Sequence, residues 1–382
     1  MYLLKELRGN SMEKIKKVSS YQIILLIIIY RIVIAFTYGP AINTPPGNQD
    51  VWIALLLSIP YTILIYLPIL FLSNKFNNLT IIEYMEKIFG KFIGKLVGFF
   101  YTVVFLVSCT IIVATVLEML GSTVFPETPI WVNSLIMVVT CTYIASKGLE
   151  SIARGAEMLV PFIIGIVFLI LVLGYKNMDL TVLLPILSDS TFKSINIGAI
   201  DFAFKFSDVL ILAMITPHLE KREEFNKIFL KSLIYSMLMV TIIVIASQAA
   251  LGVEQAKHSN FPFFTYARLI NLLDFIQRIE SLYVVSWIAG NIGKISGYLY
   301  FTTVALNQTT KRKENKSYII PIGIIIVISS VIIKDRHSII GTPQSTSRIT
   351  LIISLISMLI IPLIALIVYF LRSKIFKNVN SQ

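Results

Sequence analysis

The sequence predicts an all-α integral membrane protein of about ten transmembrane helices. Three observations carry that expectation. Ten apolar stretches dominate the 382 residues, and a bilayer crossing takes roughly 20 predominantly apolar residues. Charged residues make up 14% of the chain and hydrophobic ones 56%, against about 25% charged in an ordinary soluble domain. The connecting loops alternate between heavy and light basic charge. Nothing of comparable size remains for a water-soluble domain, so the chain reads as one membrane-embedded unit.

The elements follow in order. Residues 1–19 are polar and basic and form a cytoplasmic N-terminal segment, with no cleavable signal peptide. Residues 20–372 hold the membrane domain, with spans 1 to 10 expected at 20–38, 51–73, 96–120, 129–146, 156–174, 195–217, 228–250, 281–306, 318–333 and 349–371. The ninth is short. Residues 373–382 are a cytoplasmic tail. Two segments between spans are amphipathic. Ile81 to Leu96 is expected to lie in the cytoplasmic interface. Phe261 to Glu280 is expected to pack over the outer mouth, as a lid or as a plug.

Lys and Arg set the orientation. The N-terminus, the C-terminus and the loops on their side hold 22 of them, and the opposite side holds 8. Both termini are therefore expected in the cytoplasm. The net charge of +12 reflects this bias rather than nucleic-acid binding, since no folded basic domain exists to carry it. Span 1 then runs outward and span 6 inward. Two five-helix halves would be inverted relative to each other, an architecture of transporters with broken helices around a midplane site.

Function is sought among the residues that lipid excludes. A charge at mid-bilayer costs roughly 2.5–3.5 kcal/mol on insertion scales. Arg31 lies near the middle of span 1, Lys205 and Asp208 of span 6, and Lys294 of span 8. Asp201 and Glu118 lie nearer the outer ends of spans 6 and 3. If span 6 stays helical, Asp201, Lys205 and Asp208 share one face at i, i+4 and i+7. Such a triad is either a structural device that makes burial tolerable or a binding or relay site. Lone Arg31 or Lys294 can equally snorkel or pair structurally. Three cations near the midplane against Asp208 leave an excess of positive charge, so either burial neutralises the lysines or an anionic ligand group completes the site. Gly39-Pro40 ends the helix of span 1, either at the outer surface or as unwound backbone lining a cavity.

Other chemistry is not indicated. Cys109 and Cys141 lie inside apolar stretches without disulfide or metal-ligand spacing. There is no phosphate-cradling glycine loop and no nucleophile elbow. No cofactor, metal or enzymatic activity is expected. His218, His258 and His337 fall at span ends or in loops, and Trp52 and Trp131 read as interfacial anchors.

Several short motifs, in order and spacing, carry a resemblance. They are Gly47-Asn-Gln-Asp50-Val-Trp52, Leu79-Thr-Ile-Ile-Glu83-Tyr84, Gly90-Lys91-Phe-Ile-Gly94-Lys95, Gly148-Leu-Glu150-Ser-Ile-Ala-Arg154 and Leu183-Leu-Pro185-Ile-Leu. Phe261-Pro262, Asp274-Phe-Ile-Gln-Arg278-Ile-Glu280-Ser, Trp287 and Lys294 complete the set. From about Ser19 to Asn307 the chain resembles the spore germination B-subunit, or spore permease, family of the amino acid–polyamine–organocation transporter group. The resemblance implies inverted five-helix repeats with discontinuous spans 1 and 6. It implies the spore inner membrane, A-type and C-type receptor subunits as partners, and a small nutrient germinant, often an amino acid, as ligand. The implied pocket lies between the broken centres of spans 1 and 6, closed by spans 3 and 8. Its residues here are Val33, Ala35, Phe36 and Thr37; Val104 and Ser108; Phe204, Lys205, Phe206, Ser207 and Asp208; and Lys294 and Tyr298. Where the family tends to a Phe-Pro-Phe-Gly-Glu-like run in span 6, this chain has Phe204-Lys-Phe206-Ser-Asp208, so Lys205 is added charge. The leading expectation is ligand recognition in a germinant receptor. A secondary transporter of amino acids or related solutes, and a structural subunit with a vestigial pocket, are the alternatives.

Overall fold

The computed structural model describes residues 17–37, 43–271, 279–312, 318–337 and 350–372. Among them every regular element is helical, and the one β-bridge joins Val18 to Leu219. Each of the ten expected spans coincides with helix. Span 1 is α1 (Ser20–Thr37), span 2 α2 (Val51–Lys75), and α3 (Ile81–Phe89) is a short connector. Span 3 is α4 (Lys91–Met119), extended by a π-helical turn at Leu120–Val124; span 4 is α5 (Ile130–Ser146) and span 5 α6 (Leu149–Leu173). Span 6 is two pieces, α7 (Phe192–Phe204) and α8 (Val209–Ile215). Span 7 is α9 (Phe225–Leu251), followed by α10 (Val253–His258) and α11 (Pro262–Arg268). Span 8 is α12 (Ile279–Thr310), span 9 α13 (Ile319–His337) and span 10 α14 (Thr350–Leu371).

Five segments are long and apolar enough to cross a membrane by themselves: those of α2, α4, α6, α9 and α14. The apolar parts of α1, α5 and α13 are shorter. α12 runs for 32 residues, but it buries Asn291, Lys294, Thr302 and Asn307 as well as apolar side chains. That polar content marks it as a central helix. It packs against α4, α5, α6 and α1, while α2 packs against α7 and α9. Leu64, Phe92, Phe168, Ile320 and Ile364 stand exposed on the outside of the bundle, as expected where lipid is the solvent.

The amphipathic segment 81–96 is not one interfacial helix. Thr80 and Glu83 form a capping box at the start of α3, and Gly90, at φ +87°, turns the chain into α4 five residues before the expected start of span 3. The apolar face of α3 (Ile81, Tyr84, Met85, Ile88) is buried against protein. In the segment between spans 7 and 8, Phe263 and Phe264 of α11 pack on Tyr283, and Phe261 packs edge-on to Trp287 of α12. Asp274 to Arg278 lie outside the described residues.

Two of the sequence motifs meet at the head of α2. Asp50 is fully buried at the start of α2. Its carboxylate accepts from the backbone N–H of Leu187 at 3.1 Å and from the Ser190 hydroxyl at 2.6 Å. Gln49 donates to the Pro185 carbonyl and, at 2.9 Å, to Asp189. The Gln49 amide, with the Ser188 hydroxyl, holds the Asp189 carboxyl below the usual carboxylate range. The loop after span 5 is thereby clasped to the head of α2, and Leu187 is held at φ +65°.

Candidate functional site

Span 6 is interrupted at residues 205–208, near the middle of the expected membrane path. A broken helix leaves backbone carbonyls without intrahelical donors, and in a membrane each one left unsatisfied costs several kcal/mol. Two side chains answer them. Arg31 of α1 donates to the Lys205 carbonyl at 2.7 Å, with its guanidinium 4.4 Å from the centre of the Phe206 ring. Tyr66 of α2 donates to the Phe206 carbonyl at 2.9 Å. Val209 and Leu210 restart the helix by donating to the carbonyls of Phe206 and Ser207.

The interruption sends Lys205 and Asp208 in different directions. Lys205 Nζ pairs with Asp201 at 2.5 Å and donates to Thr44 at 3.0 Å, beneath the loop between spans 1 and 2. Asp208 is fully buried and faces α12. Its Oδ1 accepts from the Tyr298 hydroxyl at 2.8 Å and lies 3.3 Å from Lys294 Nζ. Lys294 also donates to the Tyr30 carbonyl of α1 at 2.6 Å. The shared face expected for an unbroken span 6 does not form. Among the described residues the group forms two separate pairs, Lys205–Asp201 under the loop between spans 1 and 2 and Lys294–Asp208 in the interior. Asp208 Oδ2 has no hydrogen-bond partner among the described residues.

Helix 12 reaches this point through a close approach. A Cβ on Gly297 would lie 1.6 Å from the Tyr30 hydroxyl oxygen, and one on Gly290 would lie 2.4 Å from a methyl of Val33. Only glycine lets α1 and α12 come together so closely, and that contact brings the Tyr30 carbonyl to Lys294.

The remaining expected residues divide. Phe204, Phe206, Val33 and Val104 are buried. Ser108 donates to the Val104 carbonyl of its own helix at 2.8 Å. The residues of α4 that touch α12 here are their neighbours Phe105, against Tyr298, and Cys109, whose thiol faces the Ile295 carbonyl. Glu118 is exposed on α4 and takes no part in the buried charge group. The helix of span 1 runs unbroken through Val33 to Thr37, so the expected break is not at those residues. The side chains of Ala35, Phe36 and Thr37, and Gly39-Pro40, lie outside the described residues. Sequence reasoning missed Tyr30 and Tyr66, which look like ordinary aromatic residues in apolar runs. It also missed Phe105 and Cys109, which have the same i, i+4 spacing as Val104 and Ser108, one position on.

An interrupted helix that lines a buried, charged midplane site within an all-helical bundle is the hallmark of a transporter-type membrane fold. A Na+-coupled sialic acid symporter, solved in a substrate-bound outward-open state, has this fold. It superposes with a TM-score of 0.61 at 13% identity, covering 89% of this chain and 79% of that one. The protein is thus a multi-pass membrane protein of that fold class. Residues 17–339 match the family described as spore germination protein, the spore permeases, and the chain belongs to it. Spore germination protein KB of Bacillus subtilis (strain 168) is 26% identical over 86% of this chain and 87% of its own length. YndE of the same organism is 23% identical over 88% and 93%, and XB of Bacillus anthracis 21% over 76% and 81%.

Proposed function

We propose that this protein is the membrane-embedded B subunit of a spore germinant receptor, and that it binds a small nutrient, an amino acid or similar solute, beside the interruption of span 6. The observation that carries the reading is Asp208. A carboxylate oxygen buried without a donor is costly, and the ammonium of an amino acid is a donor of the right charge. Lys205 is already neutralised by Asp201, so it serves the outer wall of the pocket rather than its floor. The spore inner membrane, both termini in the cytoplasm, and assembly with A-type and C-type receptor subunits belong to the same reading.

The test is a nutrient panel on spores with and without the gene. Loss of one nutrient response is expected on deletion, and Asp208→Asn is expected to weaken that same response by more than its drop in protein abundance accounts for. Unchanged responses to every nutrient would overturn the reading. The structural neighbour is a symporter, which favours a second reading, a secondary transporter. Solute uptake by the purified protein alone in liposomes would support that one.

A further inference from the structure

An apolar groove of about 420 Å³ opens on the outside of the bundle between α2 and α14, lined by Leu64, Leu67, Pro68 and Phe71 on one side and by leucines and Phe370 of α14 on the other. Leu64, Leu67, Phe71, Leu363 and Phe370 are exposed, so the groove faces the surroundings of the bundle rather than its interior. Its cytoplasmic end is walled by aromatic rings: Phe71 lies 5.6 Å from Phe370 and 6.1 Å from Tyr369.

The groove has a polarity along its length. Leu64, Pro68, Phe71 and Lys75 recur every three or four residues and so share one face of α2. That face ends in Lys75, which is exposed and has no ion-pair partner among the described residues. Arg372, exposed at the end of α14 just past Phe370, donates to the Ile88 carbonyl at 3.2 Å and adds a second positive charge at that end.

We propose that this groove is a binding site for one anionic phospholipid of the cytoplasmic leaflet, with an acyl chain along the leucines and the phosphate at Lys75. Length and charge both identify the occupant. From Leu64 to Lys75 the face runs about 16 Å at 1.5 Å per residue, close to half of the ~30 Å hydrocarbon core. That is the depth of one leaflet. A partner's transmembrane helix would need a seam through both. Basic residues at the headgroup end of an otherwise apolar slot select for negative charge, each contributing about 1 kcal/mol at an anionic surface.

The full-length protein is reconstituted in nanodiscs of equal phosphatidylglycerol and phosphatidylcholine, released into detergent, and read by native mass spectrometry. Phosphatidylglycerol should be retained about thirtyfold over phosphatidylcholine, two charges at about 1 kcal/mol each. Lys75→Gln should lower that preference severalfold, and Leu363→Trp should remove the retained lipid of both kinds by filling the slot. Equal retention in the wild type, or retention unchanged in both variants, overturns the site. A photo-crosslinking residue at position 363, used in native membranes, distinguishes the occupants. A lipid-mass adduct supports the proposal, and an adduct with another polypeptide overturns it.

Discussion

Lys205 and Asp208 are three residues apart and do not pair. Lys205 turns to Asp201 and Asp208 turns to Lys294, because the helix between them is interrupted. The two halves of span 6 therefore answer to different neighbours, and the charges should respond to mutation in different combinations.

Asp208 and Lys294 should behave as one unit. Removing either leaves an uncompensated buried charge, a loss of about 3–5 kcal/mol. Asp208→Asn and Lys294→Met are each expected to lower protein abundance or melting temperature in detergent. The double variant should be more stable than the worse single one. Strictly additive losses would show that the 3.3 Å approach carries no coupling.

Lys205 should matter less for stability. It and Asp201 are each about one-fifth exposed, and ion pairs reached by solvent contribute about 0–1 kcal/mol. Lys205→Met should leave abundance near normal where Asp208→Asn does not. A collapse of Lys205→Met to the level of Asp208→Asn would contradict the two-pair arrangement.

The contact of α1 with α12 is testable by adding a single methyl. Gly297→Ala drives a Cβ into the Tyr30 hydroxyl, and overpacking of this kind costs about 1–3 kcal/mol. Tyr30→Phe removes a hydroxyl that has no hydrogen-bond partner among the described residues, so by itself it should be nearly neutral. It should also partly rescue Gly297→Ala. Absence of rescue in thermal melts would locate the clash elsewhere.

Orientation can be read by thiol labelling. Cys109 and Cys141 are buried, so the native protein gives a low background. An impermeant reagent applied outside should label His258→Cys, on the exposed outer helix α10, and spare Lys313→Cys. The opposite pattern would reverse the orientation inferred from the Lys and Arg bias.

The spans were legible because lipid imposes length and apolarity on each of them separately; α2, α4, α6, α9 and α14 could be read almost from composition. The placement of Asp208 was not. Its partners Lys294 and Tyr298 are about ninety residues away, and no local pattern links them. The shared face of Asp201, Lys205 and Asp208 failed because i, i+4, i+7 reasoning assumes an unbroken helix, while Lys-Phe-Ser contains neither proline nor glycine to announce an interruption. Here the interruption is held open from outside the segment, by Arg31 and Tyr66 donating to its carbonyls. The amphipathic stretch 81–96 misled for the same reason in reverse: Gly90 divides one sequence pattern between two helices.

The Asp50 clasp has a mechanical consequence. The loop it grips leads directly into α7, and a Cβ on Gly198 of α7 would collide with the Pro45 carbonyl. The head of α2, the loop before it and α7 are thus strapped into one lever. If occupancy of the pocket displaces α7, α2 has to swing with it. The four residues from Lys205 to Asp208, where the helix is interrupted, are then the pivot.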